Sequence, residues 1–286
     1  MILLDGKTNA QKILNDLKSK IAKLSAPLQL DIILVGDNPA SVQYVSMKQK
    51  KAQLIGVKTN LHQLPSNSPT KEIINLIRQL NVDNNVTGIL VQLPLPSSLD
   101  TTLILNTIDS SKDADGLTAA NLGLLFQKNP LAIPSATPFG IIKLLETYQI
   151  DLVGKNVVII GRSPYIGLPL TALFLQKNST VTVCHSYTQN LKTICQSADI
   201  LVSAVGRPNF ITSEHIKEGC IVIDVGLSPD PQTGKLVGDV NFETVAPRCS
   251  YLTPVPGGVG PMTIASLLEN TVNISRNKEK AQNPLI

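Results

Sequence analysis

"VVIIGRSPYIGLP", Val157 to Pro169, decides the fold. Its branched apolar start reads as a strand buried on both faces. A glycine, a short loop and a second glycine at a helix start follow. Gly161 permits the turn at the strand end, and Gly167 lets the helix pack close to the sheet. Free N–H groups at that helix start attract a pyrophosphate. The G-x-G-x-x-G fingerprint is only partly met: Ser163 takes the place of the second glycine, and the last gap is longer by one residue. A purely structural strand–helix turn leaves the same pattern.

The next strand end separates two dinucleotides. A free ribose 2′-hydroxyl usually meets an Asp or Glu about 20 residues after the first glycines. That region here is "TVTVCHS", Thr180 to Ser186, with no carboxylate. Arg162 in the loop and Ser186 at the strand end instead suit a 2′-phosphate, so the expected cofactor is NADP rather than NAD. His185 reads equally well as a satisfied strand-end histidine. "AVGRP" and "DVGLSP" put glycines beyond two further strands, where Gly226 and Leu227 line the nicotinamide end. For Gly206 an ordinary turn explains the residue as well.

Outward from this unit, strand and helix alternate through all 286 residues. The expected fold class is α/β with parallel sheets, in about two domains. In the first half, "LQLDIILVG", "VKTNLHQL" and "TGILVQLPL" read as strands. Helices are expected around Ala10–Leu24, with Thr8 or Asn9 as cap, and from Ser68 and Pro69. Pro130, Pro134 and Pro138 stiffen an extended boundary. A last helix is expected from Thr263 to about Val272, followed by a frayed tail.

Composition narrows the partners. With 43% hydrophobic and 16% charged residues, the chain is globular rather than disordered. The net charge of +4 suits anionic small ligands, and no basic block argues for nucleic acid. Four cysteines without metal-ligand spacing read as free thiols in a reducing compartment, and no metal site is expected. The N-terminus lacks a signal-peptide pattern, and no apolar run reaches the ~18 residues of a membrane helix. The expectation is a cytoplasmic protein without a membrane partner.

"SVQYVSMKQKK", Ser41 to Lys51, reads as one helix with Val42, Val45 and Ala52 inward. Tyr44 and Lys48 stand four apart on its shoulder, an aromatic hydroxyl beside a half-sheltered ammonium. Alone, this reads as a Tyr covering the core edge while the Lys snorkels past it.

"YVSMK", "GILVQLPLP", "KDADGL", "GRSPYIGLP" and "TPVPGGVGPMT" together carry a family resemblance, running from about Asp5 to about Val272. The chain resembles bifunctional methylenetetrahydrofolate dehydrogenase/methenyltetrahydrofolate cyclohydrolase. The resemblance implies two α/β domains with an active-site cleft between them and a homodimer joined through the nucleotide domain. It implies a folate-binding catalytic domain over 1–137, a Rossmann-like NADP-binding domain over 138–262, and a C-terminal helix and tail over 263–286 returning to the first domain.

By the same resemblance, Tyr44, Lys48, Gln92 and Asp115 match the catalytic positions. Gly161, Arg162, Ser163, Ser186 and Leu227 match the NADP contacts. The implied reactions are oxidation of 5,10-methylenetetrahydrofolate with NADP+ and hydrolysis of the methenyl product to 10-formyltetrahydrofolate, in one-carbon metabolism and purine biosynthesis. Hydride transfer asks for positioning of two rings, not a strong base, which accords with no evident His–Asp pair among His62, His185 and His215. Hydrolysis needs proton handling, and Lys48 is the candidate. Asp113 reads as a solvated turn carboxylate. The chain departs from the family at Ala136, where a Cys is common, and at Thr87, where a His is common. Competing readings are a dehydrogenase without cyclohydrolase activity and a non-catalytic NADP-binding sensor.

Overall fold

The computed structural model describes residues 1–230 and 234–282. Strand β1 (Ile2–Leu3) leads into α1 (Gly6–Ile21). Asp5 caps this helix, its carboxylate accepting the Thr8 N–H at 3.0 Å and the Thr8 hydroxyl. The cap expected at Thr8 or Asn9 thus lies earlier, because a carboxylate facing the free N–H groups is a strong acceptor there. β2 (Leu28–Val35) precedes α2 (Pro39–Ile55). Asn38 caps α2 through Ala40 and Ser41, and Gly56 closes it at φ +89°, a left-handed conformation that suits glycine. β3 (Val57–Leu64), α3 (Thr70–Val82) and β4 (Gly88–Val91) follow.

Two short helices come next, α4 (Thr101–Asn106) capped by Asp100 and α5 (Ala119–Phe126) capped by Thr118. The proline-stiffened boundary ends earlier than expected, since α6 (Ala136–Thr147) already holds Pro138. A proline costs no hydrogen bond in a first turn, where its missing N–H has no partner anyway.

The second series matches the alternation read from sequence: β5 (Asn156–Ile160), α7 (Gly167–Gln176), β6 (Thr180–Cys184), α8 (Leu191–Gln196), β7 (Ile200–Ser203) and β8 (Ile221–Asp224). Short elements β9 (Ser228–Pro229), β10 (Leu236–Val237), α9 (Phe242–Val245) and β11 (Tyr251–Leu252) lead to α10 (Val259–Gln282). The last helix therefore starts before Thr263 and continues well past Val272. Most of the expected frayed tail is helical, and its final four residues lie outside the described range.

The chain forms two compact units. One comprises Met1–Gln11 and Thr137–Thr263, the other Lys12–Ala136 and the chain from Ile264 onward. The first residues thus group with the second series of strands. In that unit six strands run β1-β11-β8-β7-β5-β6, every neighbouring pair parallel. β6 lies on one side of β5 and β7 on the other, so the strand order switches there, where open parallel sheets receive ligands. Val158, Ile160, Leu201 and Val222 form the core together with all four cysteines, which are free and buried.

The other unit has the parallel order β3-β2-β4. Every residue of β2 is buried, as expected for the central strand of a covered sheet. Beyond β4, residues 112–114 continue the sheet by one parallel bridge, Ile89 to Asp113. The Ile89 N–H donates to the Lys112 carbonyl at 2.7 Å, and the Ala114 N–H to the Ile89 carbonyl at 3.2 Å. Asn270 of α10 donates its side-chain amide to the carbonyls of Ala114 (3.0 Å) and Pro134 (2.8 Å), closing this edge.

Candidate active site

Helix α2 buries Ser41, Val45, Lys48, Ala52 and Ile55. Val42, expected in the core, is 40% exposed, and Lys48, expected on the shoulder, is only 3% exposed. The stripe at 41, 45, 48, 52 and 55 follows helical spacing, so the lysine stands in its middle. A buried ammonium needs partners. Lys48 Nζ donates to Gln92 Oε1 at 3.0 Å and lies 4.7 Å from the centre of the Tyr44 ring. Burial lowers the proton affinity of the amine, and Asp115 opposes that shift.

Gln92 continues β4. Its backbone N–H donates to the Ile33 carbonyl at 2.8 Å, placing its side chain at the strand's carboxyl end. Its Nε2 donates to the Leu93 carbonyl at 2.5 Å, which turns Oε1 toward the lysine. Asp115 lies in the turn after the 112–114 bridge, and its carbonyl accepts the Ala136 N–H at 3.1 Å. Burial raises its carboxyl above the ordinary range, Lys48 works in the opposite direction, and the charge of Asp113 adds to the rise.

Asp113 departs from expectation. It is 1% exposed rather than solvated. Its carboxylate accepts the N–H groups of Gly116 (2.9 Å) and Thr118 (2.8 Å) and the Asn121 side-chain amide (3.0 Å).

A His–Asp pair also exists, invisible in the sequence because its members sit on different strands. His62 Nε2 lies 2.7 Å from Oδ1 of buried Asp31. Gln49 of α2 approaches Thr59, whose side chain points to the opposite face of β3 from His62. The pair is therefore on the sheet face away from Lys48. His62 lines an open groove of about 680 Å³ with Gln63, Glu72, Asn75 and Gln79, and none of the four candidate catalytic residues borders it. The departures from the family pattern are quiet: Ala136 is buried, and the Thr87 hydroxyl accepts the Gln29 N–H at 3.1 Å.

In the six-stranded unit, Gly161 sits at the end of β5 with φ +125°. A Cβ there would lie 2.6 Å from the Ala204 carbonyl oxygen, and one on Gly167 would lie 2.0 Å from the Gly161 carbonyl oxygen. Both glycines are thus required by close backbone approach, one across the strand switch and one at the start of α7. Ile166 provides no side-chain cap; in the first turn of α7 Leu168 gives its N–H to the Ser163 carbonyl and Pro169 has none, so the Gly167 N–H is the donor left for an anion. Ser163 shapes the turn: its Oγ accepts the Tyr165 N–H at 3.0 Å and its carbonyl the Leu168 N–H at 3.1 Å. Arg162 is exposed, its guanidinium 5.9 Å from the Tyr187 ring centre, next to exposed Ser186. Leu227 is 55% exposed just past β8, an apolar surface at the sheet's carboxyl edge. This cradle fits a dinucleotide phosphate.

Two buried carboxylates that sequence reading passed over hold the neighbouring loops. Asp239 accepts the Ser203 hydroxyl (3.0 Å) and the N–H groups of Val205 and Arg207 (both 2.8 Å). Asp224 accepts the N–H groups of Gly226 (3.0 Å), Asp239 (2.9 Å) and Val240 (2.9 Å). Burial pushes the Asp224 carboxyl up to about 7 against those donors. The available signal was a nearby Gly, two residues after Asp224 in "DVG" and directly before Asp239 in "GDV". A Cβ on Gly238 would fall 1.8 Å from Asp224 Oδ2.

A parallel sheet with a phosphate cradle at its strand switch, and a second α/β unit enclosing a lysine, define a two-unit dinucleotide-binding protein. The chain belongs to the tetrahydrofolate dehydrogenase/cyclohydrolase family. The family's catalytic domain matches residues 4–115 and its NAD(P)-binding domain residues 135–279. Bifunctional protein FolD of Campylobacter curvus (strain 525.92) is 47% identical over 283 residues, 98% of either chain. The crystal structure of the bifunctional enzyme FolD, methylenetetrahydrofolate dehydrogenase/cyclohydrolase, from Campylobacter jejuni superposes with a TM-score of 0.94 at 47% identity, covering 97% of this chain and 99% of that one. The Trypanosoma brucei enzyme complexed with NADP cofactor and inhibitor gives 0.93 at 35% identity, covering 98% and 99%.

Proposed function

We propose that this chain oxidises 5,10-methylenetetrahydrofolate with NADP+ and hydrolyses the methenyl product to 10-formyltetrahydrofolate, using Lys48, Tyr44, Gln92 and Asp115. Membership of the family supports both activities. The observation that carries the residue roles is the buried Lys48 amine, held by Gln92, beside Tyr44 and within electrostatic reach of Asp115.

The chemistry assigns each group a task. NADP+, when bound, takes the hydride from the methylene carbon. Tyr44 and Gln92 fix the amine, and orientation of reactants by such fixed groups supplies much of the rate in a step without a strong base. In hydrolysis, water attacks the methenyl carbon and must lose a proton. A neutral Lys48 keeps one N–H on Gln92 while its lone pair accepts that proton. The resulting ammonium returns a proton to the folate nitrogen as the carbon–nitrogen bond breaks, and the hydroxyl proton on the carbon leaves to solvent as the formyl C=O forms, so one proton is released overall. Asp115 accepts from the N–H groups of the pterin.

Gly161, Arg162, Ser163, Ser186 and Leu227 hold the dinucleotide in this reading. The Gly167 N–H at the start of α7 would meet its pyrophosphate, Arg162 and Ser186 its 2′-phosphate, and Leu227 its nicotinamide. The folate chemistry belongs to the unit built from Lys12–Ala136 and the C-terminal helix, the nucleotide to Thr137–Thr263. The same reading makes the enzyme a cytoplasmic homodimer joined through the nucleotide unit, supplying one-carbon units for purine biosynthesis. Four free cysteines support a reducing compartment. Among the described residues no helix is long and apolar enough to cross a membrane.

One cuvette tests the function. With methylenetetrahydrofolate and NADP+, NADPH absorbance should rise without lasting methenyl absorbance. A persistent methenyl signal would mean dehydrogenase activity alone, and NADP+ binding without turnover a sensor.

A further inference from the structure

We propose that Asp113 is a positioning residue for the folate site, its carboxylate fixing the 113–118 turn so that Asp115 is presented to Lys48. The inference rests on the catalytic reading above and adds a residue to it.

The geometry is that of a carboxylate used as a clamp. Oδ1 accepts the Gly116 N–H, and Oδ2 accepts both the Thr118 N–H and the Asn121 amide. The carboxylate and its donors bracket Asp115 in the chain: Asp113 precedes it, and the donors come from the residue after it and from the cap and first turn of α5. Before Asp115, the turn is fastened to β4 through the Ile89 bridge, and Asn270 holds the Ala114 carbonyl. After it, Gly116 takes φ +67°, and a Cβ there would lie 2.5 Å from the Pro134 carbonyl carbon. The Ser135 hydroxyl donates to the Gly116 carbonyl at 2.9 Å. Asn121 is fixed in turn, donating to the Ser110 carbonyl (2.9 Å) and accepting the Ile133 N–H (3.2 Å).

A carboxylate gripping two donors on one short turn and a third on α5 leaves Asp115 little freedom of direction. The charged groups acting on Asp115 are Lys48 from α2 and Asp113 from its own turn. Asp113 therefore influences Asp115 in two ways, through the backbone it ties and through its like charge, which favours the protonated carboxyl. Asparagine at 113 keeps the size but faces at least one N–H donor with an N–H₂ group and removes the charge.

The test is Asp113→Asn in the full-length protein, with steady-state kinetics for both activities and NADP+ titration. The expected result is a folate KM raised about tenfold, NADP+ affinity within about twofold of wild type, and the acid limb of the folate pH profile moved to lower pH. Unchanged folate kinetics would overturn the proposal. So would parallel losses of folate and NADP+ affinity with an unmoved pH profile, the signature of a merely structural residue. If Asp113→Asn does not fold, Asn121→Ala removes one of the three donors and should raise folate KM about threefold with NADP+ affinity intact; failure of that split would equally overturn it. A wild-type protein that binds NADP+ yet turns over no folate would refute the function and not the clamp.

Discussion

Lys48 is a point where one side chain carries two opposing demands. Its stem occupies the middle of a buried helix stripe, while its amine would be costly there without Gln92 and Tyr44. Burial lowers its proton affinity. Below that lowered pKa the amine is ammonium and cannot accept a proton; above it the lone pair is free. Hydrolysis of the methenyl compound should therefore rise with pH through the lowered pKa and then level. Lys48→Met should reduce that hydrolysis by about 100-fold or more and abolish the rise, while NADP+ binds as before. Wild-type-like hydrolysis in the variant would remove Lys48 from the mechanism. The sequence placed Tyr44 and Lys48 on one face but misjudged the depth, because Val42 looks like core and a lysine stem is compatible with either environment.

At the scale of elements, the phosphate cradle depends on two backbones nearly touching. An added methyl on Gly167 must displace the Gly161 carbonyl or the start of α7. Gly167→Ala should cost about 1–3 kcal/mol, lower the melting temperature by several degrees, and weaken NADP+ binding about tenfold or more. Gly123→Ala, inside α5 and with nothing within 4 Å of the new methyl, is the control and should leave NADP+ binding unchanged and the melting temperature equal or slightly raised.

The loops after β7 and β8 carry a pH signature. Burial raises the Asp224 carboxyl from its ordinary value of 3.8 to about 7, so the folded protein holds this proton where the unfolded chain has lost it. This contribution to stability is fully present below about pH 4 and is lost as pH rises through about 7. Its size is at most about 4 kcal/mol. Asp224→Asn should flatten that part of the stability–pH curve, measured as urea midpoints from pH 4 to 8 against wild type. Identical slopes would show that the three N–H donors cancel the effect of burial. Neither Asp224 nor Asp239 was legible as a loop anchor, since apart from Gly226 the donors they bind are distant in sequence and mostly backbone groups.

Across the whole molecule, the chain changes unit inside α1, α6 and α10. The Lys12–Ala136 unit therefore depends on the last helix. Leu267, Leu268, Val272 and Ile274 are all buried, and Asn270 holds the Ala114 and Pro134 carbonyls. At roughly 1.5–3 kcal/mol for each buried aliphatic side chain, their loss is comparable to the entire ~5–15 kcal/mol stability of a typical protein. A chain truncated after Thr263 should fail to bind folate and show loss of helical circular dichroism beyond that of the missing residues. Folate binding at wild-type affinity would show that the unit folds without α10.

Periodicity and glycine punctuation determined the parallel α/β class, the strand–turn–helix at Val157–Pro169 and most of the second strand series, because these depend on neighbours within a few residues. The strings around Tyr44, Lys48, Gln92 and Asp115 made the family resemblance legible. Only the tertiary structure decided that Lys48 is enclosed, that Asp113 is a buried clamp, that His62 pairs with Asp31, and that α10 begins before Thr263. Lys48 and His62 meet partners far away in the chain, while the donors of Asp113 lie three to eight residues on and reach it only because the turn and the start of α5 fold back. Burial and hydrogen bonding belong to a side chain's surroundings, and the folded chain supplies them.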